Sequence, residues 1–114
     1  MPTKKALTLS IIIPVYNEEA VLDATLRAIQ RQTVMPDEVI VVDNNSSDGS
    51  VAIARRFDFV EVITEEAQGR AAARNAGFNA ARSDVLGRIN ADVQLFPDWV
   101  ERVKTNFGQD NIDA

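Results

Sequence analysis

The sequence predicts an α/β fold: a three-layer α/β/α arrangement on a mainly parallel four-stranded sheet, in the order β-α-β-α-β-α-β-α. Three observations predict it. Continuous apolar runs, such as Ile11-Ile-Ile-Pro-Val15 and Val39-Ile-Val-Val42, stop abruptly in polar residues, as strands buried on both faces do. The stretches between such runs carry apolar residues at helical spacing. The connections are short, so each helix crosses over to a parallel neighbour, with right-handed crossovers as the strong rule.

Each element has its own justification. Leu7–Val15 reads as the first strand, ended by Pro14 and Asn17. Glu18–Gln32 reads as a helix with Val21, Leu22, Thr25, Leu26 and Ile29 along one face. Glu18 and Glu19 fall in its first turn, where carboxylates complement the helix dipole. Met35-Pro-Asp37 breaks it. Glu38–Val42 is a second strand that stops at Asp43, and Asn44–Ser47 is a loop. Ser47 or Asp48 caps the next helix, which runs to about Phe57. Phe59–Thr64 alternates enough to be a third, edge-like strand. Gly69–Arg82 is a helix of small residues (Ala71, Ala72, Ala73, Ala76, Ala80, Ala81), able to lie close to a sheet. Gly77 costs that helix roughly 1 kcal/mol relative to alanine, which points to close packing at that position. Asp84–Ile89 is a shorter, less apolar fourth strand, interrupted by Gly87 and Arg88, with Asn90-Ala91-Asp92 at its carboxyl end. Phe96-Pro97-Asp98 starts a last helix with proline in the first turn. Its buried face is Trp99, Val100, Val103 and Phe107, and Gly108 ends it.

Composition narrows the function. At 114 residues the chain is one domain with room for a real core, and 46% hydrophobic against 25% charged residues fits a soluble globular protein. The net charge of -5 argues against a general nucleic-acid binder, which needs a basic footprint. A small phosphorylated ligand held by a few local groups stays possible. Cysteine and histidine are absent, which removes disulfides, thiolate and imidazole metal sites, cysteine nucleophiles and Ser-His chemistry. Any metal must be bound through oxygen, which favours Mg²⁺ or Mn²⁺ over zinc. No apolar run approaches the roughly 20 residues that span a bilayer, and Met1-Pro-Thr-Lys-Lys-Ala6 carries no cleavage-site signature. A cytoplasmic location is the default expectation, with a peripheral position on the inner face of a membrane left open.

In open α/β sheets, ligands bind beyond the carboxyl ends of the strands. Asn17, Glu18, Asp43 and Asn45 are therefore expected to converge on one rim. Asp43, directly after an apolar strand, has a carboxylate that can accept hydrogen bonds from a base or a ribose; equally, Asp43-Asn44-Asn45-Ser46 is ordinary turn chemistry. Asn90-Ala91-Asp92 puts an acidic group where a divalent cation bridged to a diphosphate can sit, or it is a plain strand-end turn. Gly69 opens a helix whose N–H groups can face an anion. Arg70 and Arg74, one turn apart, can aim at the same phosphate, or form a solvated face pairing with Glu65 or Glu66. The turn after the first strand has no glycine, so the Gly-x-Gly-x-x-Gly fingerprint is missing, as is a Walker loop.

Four runs in this order resemble the nucleotide-sugar-binding half of a family 2 glycosyltransferase of the Rossmann-like GT-A fold. They are Ser10-Ile-Ile-Ile-Pro-Val-Tyr-Asn-Glu18, Glu38-Val-Ile-Val-Val-Asp-Asn-Asn-Ser-Ser-Asp48, Gly69-Arg-Ala-Ala-Ala-Arg-Asn-Ala-Gly77, and Asn90-Ala-Asp-Val93 with Pro97-Asp-Trp99. The resemblance spans about residues 8–107. It implies that Pro14, Val15, Tyr16 and Glu18 line a nucleoside pocket and that Asp43 recognises the base, with Asn45 on the same rim. It places Gly69, Arg70 and Arg74 near the diphosphate and sugar. Asn90-Ala91-Asp92 falls where the family carries Asp-x-Asp, so Asp92 is the expected ligand of Mg²⁺ or Mn²⁺ and Asn90 a contact to ribose or to a metal-bound water. Asparagine at position 90 keeps hydrogen-bonding capacity and loses a charge, which weakens the expectation of metal binding.

The resemblance also implies a domain roughly twice this size, beyond the modal ≈100–150 residues. Residues 1–114 then read as one nucleotide-diphospho-sugar-binding domain, truncated relative to a whole enzyme. The acceptor site and the catalytic base would lie in the other half, and no residue here is a candidate for that base. The implied function is transfer of a sugar from a UDP- or GDP-linked donor, with the isolated chain inactive. The alternatives are a non-catalytic nucleotide-binding module or a self-associating fragment. The fourth strand would leave an open edge, which invites a homodimer.

Overall fold

The computed structural model describes residues 7–107. The elements follow the expected order: β1 Leu9–Val15, α1 Glu19–Gln30, β2 Glu38–Asp43, α2 Ser50–Ala54, β3 Val60–Thr64, α3 Arg70–Ala80, β4 Val85–Arg88 and α4 Trp99–Phe107. The four strands form one sheet in the order β3-β2-β1-β4, parallel throughout. The α/β class is as the sequence predicts, and β3 lies at an edge as expected.

The two central strands bury both faces. On one face Leu9, Ile11, Ile13, Val15, Val39 and Val41 pack with Leu22, Leu26 and Ile29 of α1, Ala54 of α2 and Val100 of α4. On the other, Ile12, Ile40 and Val42 meet Ala73 of α3. Alternation along β1 and β2 therefore feeds two cores, which is why these strands read as unbroken apolar runs. Gly77 explains how closely α3 sits. A Cβ built there would lie 2.4 Å from Cγ2 of Ile12 and 3.1 Å from Cγ2 of Val42, so only glycine lets the helix seat at this depth.

Some boundaries move for identifiable reasons. Asp43 is the last residue of β2, paired with both Val15 and Thr64, rather than the first residue after it. α2 ends at Ala54, short of Phe57; the amides of Arg56 and Phe57 donate back three residues, to Ile53 and Ala54, in a tightening last turn. Pro97 precedes α4 instead of opening it. The Phe96 carbonyl accepts from Gln32 Nε2 at 2.7 Å, and the Pro97 carbonyl accepts from Thr33 N at 2.8 Å. The helical ladder begins with Arg102 N donating to the Asp98 carbonyl at 2.9 Å. Trp99 and Val103 of the expected α4 face are half-buried and Val100 is fully buried. The Phe107 side chain and Gly108 lie outside the described residues.

Candidate functional site

The sheet order places a switch point between β1 and β4: successive strands run outward from β1 to β2 and β3, and the chain then returns to the other side. β1 pairs with β2 as far as Val15–Asp43 but with β4 only as far as Ile12–Arg88. The last bond on that side runs from Ile89 N to the Ile12 carbonyl at 3.0 Å. Thr8 and Ile12 turn their carbonyls to the β4 side, whereas Leu9 and Val15 turn theirs to the β2 side. Pro14 shares the parity of Ile12, so its missing N–H falls where β4 has already ended and no ladder bond is lost.

β1 thus outruns β4, and a cleft opens beside its end. It has a volume of about 150 Å³ and is lined by Pro14, Glu18, Arg70, Arg88, Asn90, Ala91 and Asp92. An adjoining cleft of about 70 Å³ is lined by Pro14, Val15, Tyr16, Glu18, Asn44, Arg70 and Ala73. Open parallel sheets bind ligands at such points.

Side-chain hydrogen bonds fix the loops around these clefts. Asn17 and Asn45 both take left-handed backbone conformations, φ 52° and 69°, which asparagine tolerates better than most residues. Asn17 N donates to Ser46 Oγ at 2.9 Å, and its Oδ1 accepts from Ser47 N at 2.8 Å. Glu18 N donates to Ser50 Oγ at 2.9 Å. The Asp48 carboxylate accepts from Glu19 N at 3.2 Å and from Ser50 N at 2.9 Å, so it serves the starts of both α1 and α2. The Ser50 hydroxyl, 2.6 Å away, is the main reason this carboxyl is held below the usual range; desolvation works against it, and the Ser50 and Glu19 amides add to the lowering.

Asn44 performs the same service for the next loop. It is buried, and its Nδ2 donates to the carbonyls of Glu65 and Ala67, both at 2.8 Å. Its Oδ1 accepts from Gly69 N at 2.9 Å. The end of β2 is thereby bonded to the segment that starts α3 and presents Arg70. The turn after β4 is held from α1: the buried Thr25 hydroxyl donates to the Ala91 carbonyl at 2.5 Å. Gln32, just past α1, accepts from Val100 N at 2.9 Å while donating to Phe96. Within the turn, Arg88 Nη1 donates to Asn90 Oδ1 at 3.1 Å.

Of the residues singled out by sequence, Pro14, Val15, Tyr16 and Glu18 come together in the smaller cleft, and Pro14, Glu18, Arg70, Asn90 and Asp92 in the larger. Asp43, Asn45, Gly69 and Arg74 line neither. Asp43 is buried, with Oδ1 accepting from Ser46 N at 3.3 Å. Asn45 Nδ2 is turned to the Glu66 carbonyl and to Gln68 Oε1, both at 3.0 Å. The Gly69 amide is taken by Asn44. Arg74 is exposed one turn along α3. Arg88, Thr25, Gln32 and Asn44 were not selected by sequence reasoning. The available signal was a polar residue within an apolar face or at the end of a buried strand. Among the described residues there is no group of three or more acidic side chains placed to hold a metal ion.

The sequence model of glycosyl transferase family 2 matches residues 10–114. The chain belongs to this family. Family relatives include the glycosyltransferase AglE of Haloferax volcanii, 38% identical over 111 residues that cover 91% of this chain and 36% of AglE. Another is an undecaprenyl-phosphate 4-deoxy-4-formamido-L-arabinose transferase of Aeromonas hydrophila, 37% identical over 103 residues, covering 82% of this chain and 32% of that one. The chain therefore spans about a third of the length of the curated relatives it matches. Among solved structures, the mannosyltransferase PcManGT of Pyrobaculum calidifontis, in complex with GDP-Man and Mn²⁺, superposes with a TM-score of 0.76 at 28% identity, covering 88% of this chain and 31% of that one. S. aureus TarS 1-349 in complex with UDP gives a TM-score of 0.82 at 22% identity, covering 89% of this chain and 32% of TarS, and supports the fold. This family 2 domain has the nucleotide-sugar-binding fold of the GT-A neighbours, and none of its described helices is long and apolar enough to cross a membrane.

Proposed function

We propose that the cleft between β1 and β4 receives the diphosphate of a nucleotide-linked sugar, and that the chain is the donor-binding part of a sugar-transferring enzyme. One observation carries this reading. Residues from three separate segments, Pro14 and Glu18, Arg70, and Asn90 and Asp92, line a single cleft where β1 outruns β4. The smaller cleft takes the nucleoside: Tyr16 is 52% exposed and offers a ring face, with Val15 and Pro14 beside it. Asp43, with Asn45 behind it, is assigned to base recognition from the end of β2. Gly69 and Arg74 support the phosphate side on α3. A UDP- or GDP-linked donor is favoured because neighbouring structures contain UDP or GDP-Man.

Mg²⁺ or Mn²⁺ belongs to the same proposal, with Asp92 as the protein ligand. The donor set suits an ion that arrives with the diphosphate: Mg²⁺ commonly takes one or two carboxylates and fills its shell with phosphate oxygens and waters. It does not suit a resident ion, since no acidic cluster is present among the described residues. When bound, the cation would neutralise charge on the departing diphosphate. Arg70, which lines the same cleft, does the same by charge-assisted hydrogen bonds. Glu18 and Pro14 shape the floor of the cleft. The attack of an acceptor hydroxyl on the sugar carbon needs a general base, and none of the described residues is assigned that role.

The test is calorimetric titration of UDP and GDP, each with and without Mn²⁺. Arg70→Ala is expected to weaken binding about tenfold or more, the loss of one charged hydrogen bond. Failure of both nucleotides to bind under any condition refutes the reading. Among the described residues β4 is an outer strand of the sheet, which supports pairing with a second copy; a strictly monomeric mass in light scattering across a dilution series refutes that part alone.

A further inference from the structure

We propose that Arg88 and Asn90 form a donor clamp for an anionic oxygen, so that this cleft holds a nucleoside diphosphate whether or not a divalent cation is bound at Asp92. The inference rests on the reading of the cleft as a diphosphate site and goes beyond it by naming what binds the phosphate. Arg88 is the last residue of β4 and lines the larger cleft together with Arg70 of α3. Its Nη1 donates to Asn90 Oδ1 at 3.1 Å. A guanidinium has no acceptor, so the asparagine amide must meet it through oxygen. That fixes the amide: the one Asn90 side-chain atom able to ligate a cation is engaged by a positive charge, and the atoms left over are N–H donors. A metal ion approaching this oxygen meets the Arg88 guanidinium beside it, whereas an anion meets donors from both side chains.

Charge points the same way. Neither Arg70 nor Arg88 has an ion-pair partner among the described residues, where the ion pairs are Arg27–Asp23, Arg102–Asp98 and Lys104–Asp37. Two guanidiniums outside these ion pairs therefore line one cleft of about 150 Å³, which the carboxylates of Glu18 and Asp92 also line. Each is a planar fork suited to two phosphate oxygens. Glu18 and Asp92 line the same cleft and oppose an anion close to them, which favours a phosphate seated against the guanidiniums and leaves Asp92 as an optional anchor for a cation.

The experiment is calorimetric titration of UDP and GDP into the wild-type chain, Arg88→Ala and Asn90→Asp, in EDTA and in excess Mn²⁺, with circular dichroism to confirm folding. Wild type is expected to bind in EDTA within about tenfold of its affinity in Mn²⁺, and Arg88→Ala to lose about tenfold or more in EDTA, as for one charged hydrogen bond. Asn90→Asp keeps the side-chain size, so it serves as the second variant should Arg88→Ala fail to fold. It is expected to bind more weakly in EDTA than wild type and to depend more steeply on Mn²⁺. Wild-type binding that requires Mn²⁺, or unchanged EDTA affinity in the folded variants, overturns the clamp while leaving the diphosphate reading intact. No nucleotide binding under any condition overturns both.

Discussion

Gly77→Ala tests the seat on which the whole arrangement rests. The added Cβ would lie 2.4 Å from Cγ2 and 3.2 Å from Cγ1 of Ile12, and 3.1 Å from Cγ2 of Val42. Carbon atoms pack best at about 3.5–4.0 Å, so the closest contact is short by more than about 1 Å. Ile12 and Val42 are both fully buried in central strands, and neither has space into which to retreat. Overpacking of this kind costs about 1–3 kcal/mol, and the depth of the clash places it at the upper end. Alanine returns about 1 kcal/mol of helix propensity. The net expectation is a loss of about 2 kcal/mol, or roughly 10 °C in Tm for a domain of this size.

Urea and thermal unfolding measure this directly. Ile12→Leu removes the Cγ2 that causes the worst contact, so in a double-mutant cycle Gly77→Ala and Ile12→Leu should be coupled. The double variant should be more stable than the sum of the singles predicts by about 1 kcal/mol. Because α3 also presents Arg70, outward movement of the helix should weaken nucleotide binding. A Gly77→Ala protein as stable as wild type, or an additive cycle, would show that α3 does not lie this close to β1 and would refute the reasoning.

Three further outcomes are expected. Thr25→Val leaves the buried Ala91 carbonyl without its donor, a loss of about 1–3 kcal/mol in unfolding experiments, with weaker nucleotide binding because the Asn90–Asp92 turn is freed. Asp92→Asn should abolish any gain in affinity from Mn²⁺ while sparing affinity in EDTA, the converse of Arg88→Ala, as titration calorimetry would show. Desolvation pushes the Asp37 carboxyl up, but the hydrogen bond from Lys104 and that from the Leu9 amide outweigh it and hold the group below the usual range. Its contribution to stability is therefore present above the unfolded value near 3.9 and is lost as pH falls through the lower folded value; the Tm of Asp37→Asn should fall less over that acid window than that of wild type.

The sequence revealed most about elements whose cause is local. The strands β1 and β2 are readable because each buries both faces, and α3 because its small residues and Gly77 mark a close approach. The rim was readable in part: Pro14, Glu18, Arg70, Asn90 and Asp92 converge because they stand at the ends of consecutive parallel elements. What was missed has its cause elsewhere in the chain. Thr25 bonds a carbonyl 66 residues away and Gln32 one 64 away, and nothing local to α1 identifies those partners. Asn44 reads as turn chemistry because its acceptors, the Glu65 and Ala67 carbonyls, lie in the loop after β3, 21 and 23 residues away. Arg88 reads as an interruption of a weak strand because its role depends on where β4 ends relative to β1. Asp43 reads as the first loop residue because a carboxylate inside a buried strand runs against its usual placement.

Two of these misses, Thr25 and Gln32, belong to one helix and its end. The amide of Glu19, at the start of α1, donates to Asp48 of the β2–α2 loop; Thr25, near its middle, holds Ala91; Gln32, just beyond its end, holds Phe96 and the start of α4. One helix thus sets the relative positions of the β2–α2 loop and the turn after β4, two walls of the same rim that have no covalent proximity. The apolar face of α1 fixes the helix on the sheet, and its polar positions transmit that placement to the rim. A substitution in that apolar face, such as at Leu26, should therefore disturb the clefts through Thr25 even though it touches neither. The positions of Arg88, Asn90 and Asp92 follow from how α1 packs as much as from where β4 ends.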